Sequence, residues 1–161
     1  TLHSNNANQT LDRIINFFPE ERRNQLLMDL SSNMKAIISQ RLIRTQDGKG
    51  RRAAIEIMLN TPLISDLILK GEFHELKAIM AKSRELGMQT FDQALFELYN
   101  QGEISYEEAL RNADSTNELR LQIKLKSNRQ DNAAVGESTQ FSMLQKPKPE
   151  EKSAENQAVA E

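Results

Sequence analysis

The chain has 161 residues, of which 38% are hydrophobic and 27% are charged, and its net charge is −2. These values fit one ordinary domain with an additional polar part, and they argue against a strongly basic surface for nucleic acid. The chain has no cysteine and only two histidines, which excludes a disulfide framework and a cysteine zinc site and leaves too few ligands for a histidine metal site. No apolar run approaches the roughly 20 residues that cross a bilayer, so the sequence indicates a cytoplasmic protein.

The first segment, TLHSNNANQT, begins with neither a start methionine nor an apolar secretory run. Its pattern is that of the end of a buried strand, cut mid-element, that gives way to a helix after His3. The polar residues 4–6 are all suitable N-caps. Pro19 breaks this first helix. The helix itself is predicted from apolar residues at spacings of three and four: Ala7, Leu11, Ile14, Ile15 and Phe18.

After Pro19, the stretch PEERRNQLLMDLSSNMKAIISQRLI predicts one long amphipathic helix. Its apolar stripe consists of Leu27, Leu30, Met34, Ile37 and Ile38. The pattern then changes, because the turn signal Asp47–Gly48 separates two short apolar stretches, and Ile55, Ile57 and Leu59 alternate as in a strand. We therefore expect a β-hairpin with strands at about residues 42–46 and 51–59.

Helices return at TPLISDLILKGE, where Thr61 is the predicted cap, Pro62 the first helical residue and Gly71 the end. The apolar face of this helix consists of Leu63, Ile64, Leu67 and Ile68. The next stretch, EFHELKAIMAKSRELG, predicts a further helix that Gly87 closes. Thr90 then caps FDQALFELYNQG, which carries apolar residues on one face.

Two pairs with capping-box spacing follow. Ser105 and Glu108 precede one short helix, and Ser115 and Glu118 precede ELRLQIKLK. In this last stretch apolar residues alternate, so helix and strand are both open, and the cap favours the helix. From about residue 127 the composition turns polar, which predicts a disordered tail over 127–161 with one apolar island, FSML at 141–144. That island is a short docking motif or a chance cluster.

His3 is the candidate catalytic residue. A polar side chain at the C-terminal end of a strand in an α/β sheet lies at the usual ligand crevice, where an imidazole can donate to a phosphate oxygen. The alternative is a partly buried histidine that is hydrogen-bonded to a neighbour. A phosphate role also requires a nucleotide site, and the chain contains no G-x-x-x-x-G-K-S/T loop. The sequence therefore offers no cofactor-binding and no metal-binding residues.

The remaining polar features have structural interpretations. His74 lies between Glu72 and Glu75 and is expected to be an exposed surface histidine. The glycines around Asp47 lack the helix that follows a phosphate loop, which favours a hairpin turn. Cations near this turn form either a small basic patch or a solvated hairpin: Arg44, Lys49, Arg51 and Arg52.

The order of these segments resembles a known family. TLHSNNA followed by DRIINFFP-EE resembles the histidine box of secretion and pilus ATPases. RRAAIEIMLNTP, LGMQTFDQAL and LYNQGEISYEEAL resemble the C-terminal region of the PilT/PilU twitching-motility ATPases, so the resemblance covers about residues 1–126. Within that group the PilU type is favoured. PilT proteins typically read AIRNLIRE in a helix to which the resemblance assigns an interaction role, and this chain reads LISDLILK at the same place. Only the apolar residues Ile64, Leu67 and Ile68 are the same in both.

The resemblance implies that the chain is a C-terminal fragment of a longer protein, with an α/β, mostly helical fold. Residues 1–60 would be the end of a RecA-like core with its β-hairpin, 61–126 a helical C-terminal subdomain, and 127–161 the tail. It implies a homo-hexameric motor ATPase that uses ATP and Mg²⁺ to retract type IV pili. Such a protein would lie in the cytoplasm, peripheral at the inner-membrane pilus base, and act with the pilus machinery and a partner retraction ATPase. His3 would lie near the γ-phosphate, whereas the chain alone would bind no ATP and be inactive.

Two other functions remain open from the sequence. One is a non-catalytic helical module that binds a partner through an exposed apolar face. The other is the C-terminal part of a type II secretion or pilus-assembly ATPase. Those proteins usually carry a four-cysteine zinc insertion, and this chain has no cysteine.

Overall fold

The computed structural model describes residues 2–127. Nine helices and strands run along this part of the chain: α1 (Ala7–Asn16), α2 (Arg23–Asn33), β1 (Ala36–Arg44), β2 (Arg51–Leu59), α3 (Pro62–Lys70), α4 (Leu76–Lys82), α5 (Phe91–Asn100), α6 (Tyr106–Asn112) and α7 (Thr116–Lys126). Short 3₁₀ turns at Glu20–Arg22, Phe73–Glu75 and Arg84–Leu86 complete them. The fold is mostly helical with one antiparallel hairpin, as the sequence predicted. The predicted tail, with FSML, lies outside the described residues.

The predicted long helix after Pro19 is wrong. Helix α2 ends at Asn33, and the backbone then becomes the first strand of the hairpin, so Ile37 and Ile38 belong to a strand. The strand forms because all nine of its residues pair with β2, from Ala36 opposite Leu59 to Arg44 opposite Arg51. Asn60, which follows β2, donates to the carbonyls of Ser31 and Met34 at 2.8 and 2.9 Å. It thereby satisfies acceptors that the end of α2 leaves without helical partners.

Local signals place α3 and α5 correctly. Thr61 caps α3, and Gly71 ends it in the left-handed region at φ 73°. Thr90 and Gln93 form a complete capping box at the start of α5. The predicted single helix before Gly87 is instead broken at Ser83 into α4 and a 3₁₀ turn.

The last two helices begin where the sequence predicted, with different caps. The Ser105 side chain accepts from the Glu108 amide at the start of α6. Ser115 precedes α7 without making a side-chain cap, so the predicted capping box is absent there. The stretch ELRLQIKLK forms a helix, as the N-terminal signal favoured.

The core consists of two apolar clusters, and each contains residues from the hairpin. One lies around helices α5 to α7: Ile43, Ala54, Phe91, Ala94, Leu95, Tyr99, Ile104, Ala109, Leu119 and Ile123. The other lies around α1, α3 and α4: Ala7, Leu11, Met58, Ile64, Leu67, Ile68, Leu76, Met80 and Met88. The hairpin therefore packs on both groups of helices. Each cluster contains residues from before and from after position 60. The predicted domain boundary at residues 60 and 61 stays a prediction.

Candidate functional site

The segment that carries His3 lies directly before α1. Leu2 to Ser4 have no regular secondary structure, and the His3 side chain is exposed. Asn6 caps α1, because its side chain accepts from the Gln9 amide at 2.9 Å. The role of His3 stays a prediction, and the geometry leaves its imidazole free to reach a group outside residues 2–127.

Glu56 on β2 reaches this segment from the hairpin. Its side chain is almost fully buried, with 2% exposure, and its Oε1 accepts from the Ala7 amide at 2.7 Å. The backbone N–H of Phe91 lies beside the same carboxylate and lowers its pKa. Ala7 and Phe91 are the first residues of α1 and α5, so a single carboxylate lies at the N-termini of two helices, where an anion is favoured.

Burial raises the pKa of Glu56 above its ordinary value of 4.5, and the Asp114 carboxylate raises it further. The two backbone hydrogen bonds and the Arg41 guanidinium act in the opposite direction and lower this pKa. Desolvation is the largest of these effects, because water is excluded from the carboxylate.

Arg41 on β1 approaches the same segment from beside Glu56. Its Nη2 donates to the Asn5 carbonyl at 2.8 Å and to Asp114 Oδ1 at 2.7 Å. Its Nη1 donates to the carbonyl of Asn112, the last residue of α6, at 2.7 Å. The guanidinium also stacks over the Phe91 ring, 4.0 Å from the ring centroid. Its position is fixed by contacts on several sides.

Asp114 contacts both the residues before α1 and a second buried carboxylate, Asp92. Asn6 Nδ2 donates to Asp114 Oδ2 at 3.3 Å. Asp92 on α5 accepts from the backbone amides of Asp114 and Ser115, at 2.8 and 3.2 Å, and pairs with Lys77 Nζ at 2.9 Å. Asp92 thus accepts from the Ser115 amide, the bond that the Glu118 side chain would make in the predicted capping box.

We call Arg41, Glu56 and Asp114 the charged clamp, because together they hold residues 5–7 next to His3. Sequence reasoning missed all three. One signal was present for Glu56, a charge in the otherwise apolar strand AAIEIML, at an inward position shared with Ala54 and Met58. Nothing in the sequence indicated Arg41 or Asp114.

The hairpin turn forms as predicted. Gly48 has a positive φ of 69°, and Asp47 accepts from the Thr45 hydroxyl at 2.6 Å and from the Lys49 amide at 3.1 Å. The Thr45 hydrogen bond is the largest cause of a lowered pKa at Asp47. No helix follows this turn, so it lacks the architecture of a phosphate-binding loop.

No phosphate-binding loop motif occurs in the chain, and His3 is the candidate that could face a phosphate. The other histidine, His74, is 76% exposed and lies 3.4 Å from Glu75, as the sequence predicted for a surface residue.

Comparisons with known proteins show what this chain resembles. No family model matches it. The type IV pilus ATPase PilU of Pseudomonas aeruginosa is 67% identical over 127 residues, which is 79% of this chain and 33% of that protein. Over the matched residues, the chain is similar to proteins of the PilT/PilU type. The type IV pilus retraction ATPase PilT of the same organism is 39% identical over 113 residues, 70% of this chain and 33% of that protein. The higher identity to PilU confirms the preference for that type.

A solved structure supports the same assignment. The crystal structure of the pilus retraction motor PilT with bound ADP matches with a TM-score of 0.64 and 34% identity, over 73% of this chain and 32% of that one. The chain therefore spans about a third of the length of the PilT/PilU-type proteins that it matches. The fold predicted from the resemblance is confirmed over the matched part.

The helix that the sequence predicted to be an interaction helix is α3. The three residues named for it, Ile64, Leu67 and Ile68, are buried in the cluster around α1, α3 and α4. They pack inward because they share one helical face, whereas Leu63 and Leu69 are about half exposed. The three residues belong to the core of this chain. A partner of α3 would meet other side chains, and the interaction role stays a prediction.

Proposed function

We propose that the chain is part of a PilT/PilU-type motor ATPase that drives type IV pilus retraction and twitching motility. The observation that carries this proposal is the 67% identity over 127 residues to a protein named as the type IV pilus ATPase PilU. The similarity to the structure of a pilus retraction motor with bound ADP supports it.

Within such a motor, the protein would be a cytoplasmic homo-hexamer, peripheral at the inner-membrane pilus base. It would use ATP with Mg²⁺ and act with the pilus machinery and a second retraction ATPase. The family resemblance supports these features. Among residues 2–127, no helix has the length and apolar character required to span a membrane.

His3 would face the γ-phosphate and report the nucleotide state. Its exposure and its place ahead of α1 support this role, because the imidazole is available to a phosphate bound by other residues. The nucleotide itself would be held by a phosphate-binding loop that this chain does not contain. We therefore expect the 161-residue chain alone not to hydrolyse ATP.

Phosphate release tests the proposal. The chain alone should release no more phosphate from ATP than a mock preparation does. A longer protein that also contains the nucleotide-binding part should release phosphate in a Mg²⁺-dependent manner. In cells, disruption of the gene should slow pilus retraction, observed by imaging of labelled pili. Unchanged retraction, or a longer protein without ATPase activity, would contradict the proposed function.

A further inference from the structure

Two charged side chains bind residues 3–7, here called the His3 segment, to distant parts of the chain. Arg41 contacts the Asn5 carbonyl from 36 positions along the sequence, and Glu56 contacts the Ala7 amide from 49 positions along it. Asn6 already supplies the local cap of α1. The additional bonds are long-range ties that local capping does not provide.

The same two side chains also contact the helices that follow the hairpin. The Glu56 carboxylate lies beside the Phe91 amide at the start of α5, which lowers its pKa. Arg41 donates to the Asn112 carbonyl at the end of α6 and pairs with Asp114, which leads into α7. Each side chain is therefore shared between the His3 segment and helices α5 to α7.

A charge at position 56 has an energetic cost. Its carboxylate is buried, and a buried ionisable group stabilises a fold less than an apolar or neutral side chain of similar volume often does. A glutamine would keep an acceptor at the same place without the charge. The cost is offset where the charge holds two elements in one fixed relation, since charge-assisted hydrogen bonds are roughly twice as strong as neutral ones.

We propose that Arg41 and Glu56 are positioning residues that couple the location of His3 to that of helices α5 to α7. The inference rests on the proposed function, in which His3 faces the nucleotide. A displacement of His3 then moves residues 5–7, and the two side chains pass this movement to the helices. The His3 segment and helices α5 to α7 respond as one unit.

Distance measurements on this chain test the coupling directly, because the absence of cysteine allows site-specific spin labels. One labelled pair, His3→Cys with Arg120→Cys, joins the segment to α7. A second pair, Lys70→Cys with Arg120→Cys, joins α3 to α7 and reports the helices alone. All three positions are exposed.

We expect Glu56→Gln, and separately Arg41→Lys, to broaden the distance distribution of the His3 pair and leave that of the Lys70 pair narrow. Hydrogen exchange at the Ala7 amide should become about tenfold faster in Glu56→Gln. The matched control is Glu103→Gln, which breaks an exposed ion pair with Arg52, also on β2. It should leave both distributions unchanged.

Broader distance distributions for both pairs would show a purely structural role and overturn the proposal. Unchanged distributions for both pairs would overturn it as well. If Glu56→Gln does not fold, Arg41→Lys decides the question by the same two pairs. In the longer protein, Glu56→Gln should lower kcat for ATP with KM unchanged, and an unaltered kcat would also overturn the coupling. A longer protein without ATPase activity would refute the proposed function, while the distances still decide the coupling.

Discussion

Glu56 Oε1 lies 2.7 Å from the backbone nitrogen of Ala7, and this hydrogen bond joins the hairpin to the first helix. The same carboxylate lies beside the Phe91 amide at the start of α5. Two helix N-termini favour a negative charge at this point, whereas burial opposes it. Burial dominates, and the pKa of Glu56 is raised.

The first prediction concerns pH. With a raised pKa, the folded state binds a proton at Glu56 more tightly than the unfolded state does, so stability should fall as pH rises from about 4.5 through the folded pKa. Asp114 adds to the raised pKa, while Arg41 and the two backbone amides reduce it. Glu56→Gln should remove this part of the pH dependence, measured as the urea unfolding free energy at several pH values. A variant that retains the whole decline would exclude Glu56 as its source.

The second prediction concerns Asp92. Asp92→Asn should lower the unfolding free energy by about 1.5–3 kcal/mol, because it removes charge-assisted hydrogen bonds to the start of α7 and the buried partner of Lys77. The matched control is Asp66→Asn, which removes an exposed ion pair with Lys70 and should cost less than about 1 kcal/mol. Equal losses in urea unfolding of the two variants would contradict this role.

The third prediction concerns Gly71, which ends α3 in the left-handed region at φ 73°. An added Cβ meets only Leu27 at 3.9 Å, an ordinary contact, so the cost of Gly71→Ala is in the backbone and should be about 1–2 kcal/mol. Gly50→Ala is the control, since that position has no left-handed φ. It should be neutral or stabilise by up to about 1 kcal/mol, and thermal unfolding compares the two.

The fourth prediction separates the two faces of α3. Ile64 is fully buried, so Ile64→Ala should cost about 2–5 kcal/mol. Leu63 is 50% exposed, and Leu63→Ala should change stability by no more than about 0.5 kcal/mol. Pilus retraction in cells that carry Leu63→Ala then tests α3 as a partner surface without loss of the fold. A large stability loss in Leu63→Ala would contradict the assignment of the faces.

The fifth prediction concerns His3 in the longer protein. His3→Ala should lower kcat roughly 100- to 1000-fold, because removal of one donor to a developing charge costs about 2.7–4 kcal/mol. The melting temperature should not change, since the side chain is exposed. The alternative of a packed histidine gives a stability loss of about 1–3 kcal/mol and an unaltered kcat per folded molecule. Melting temperature and kcat measured on the same variant distinguish the two.

The sequence predicted elements well wherever the signal lies within a few residues. Thr61 with Gly71, and Thr90 with Gln93, bound α3 and α5 as expected, because caps and left-handed ends act through adjacent backbone groups. The second hairpin strand, residues 51–59, was also predicted with the observed bounds. The family resemblance came from such contiguous stretches.

Local pattern failed where a distant partner decides the structure. Residues 36–44 carry apolar residues at a spacing compatible with a helix, yet they pair with β2 over nine positions, and that ladder determines the strand. At the start of α7, Ser115 and Glu118 have the spacing of a capping box, in which the Glu118 side chain would accept from the Ser115 amide. Asp92 accepts from that amide instead, from 23 positions away.

By itself, the sequence determined the helical character of this protein, the hairpin turn, the end of α3 at Gly71 and the candidacy of His3. Only the tertiary structure decided that Arg41, Glu56 and Asp114 hold residues 5–7. The partners in this clamp lie between 36 and 108 positions apart, and periodicity carries no information at such separations. Their charges meet because the hairpin packs on both groups of helices, and burial between those elements brings Arg41, Glu56 and Asp114 together around residues 5–7.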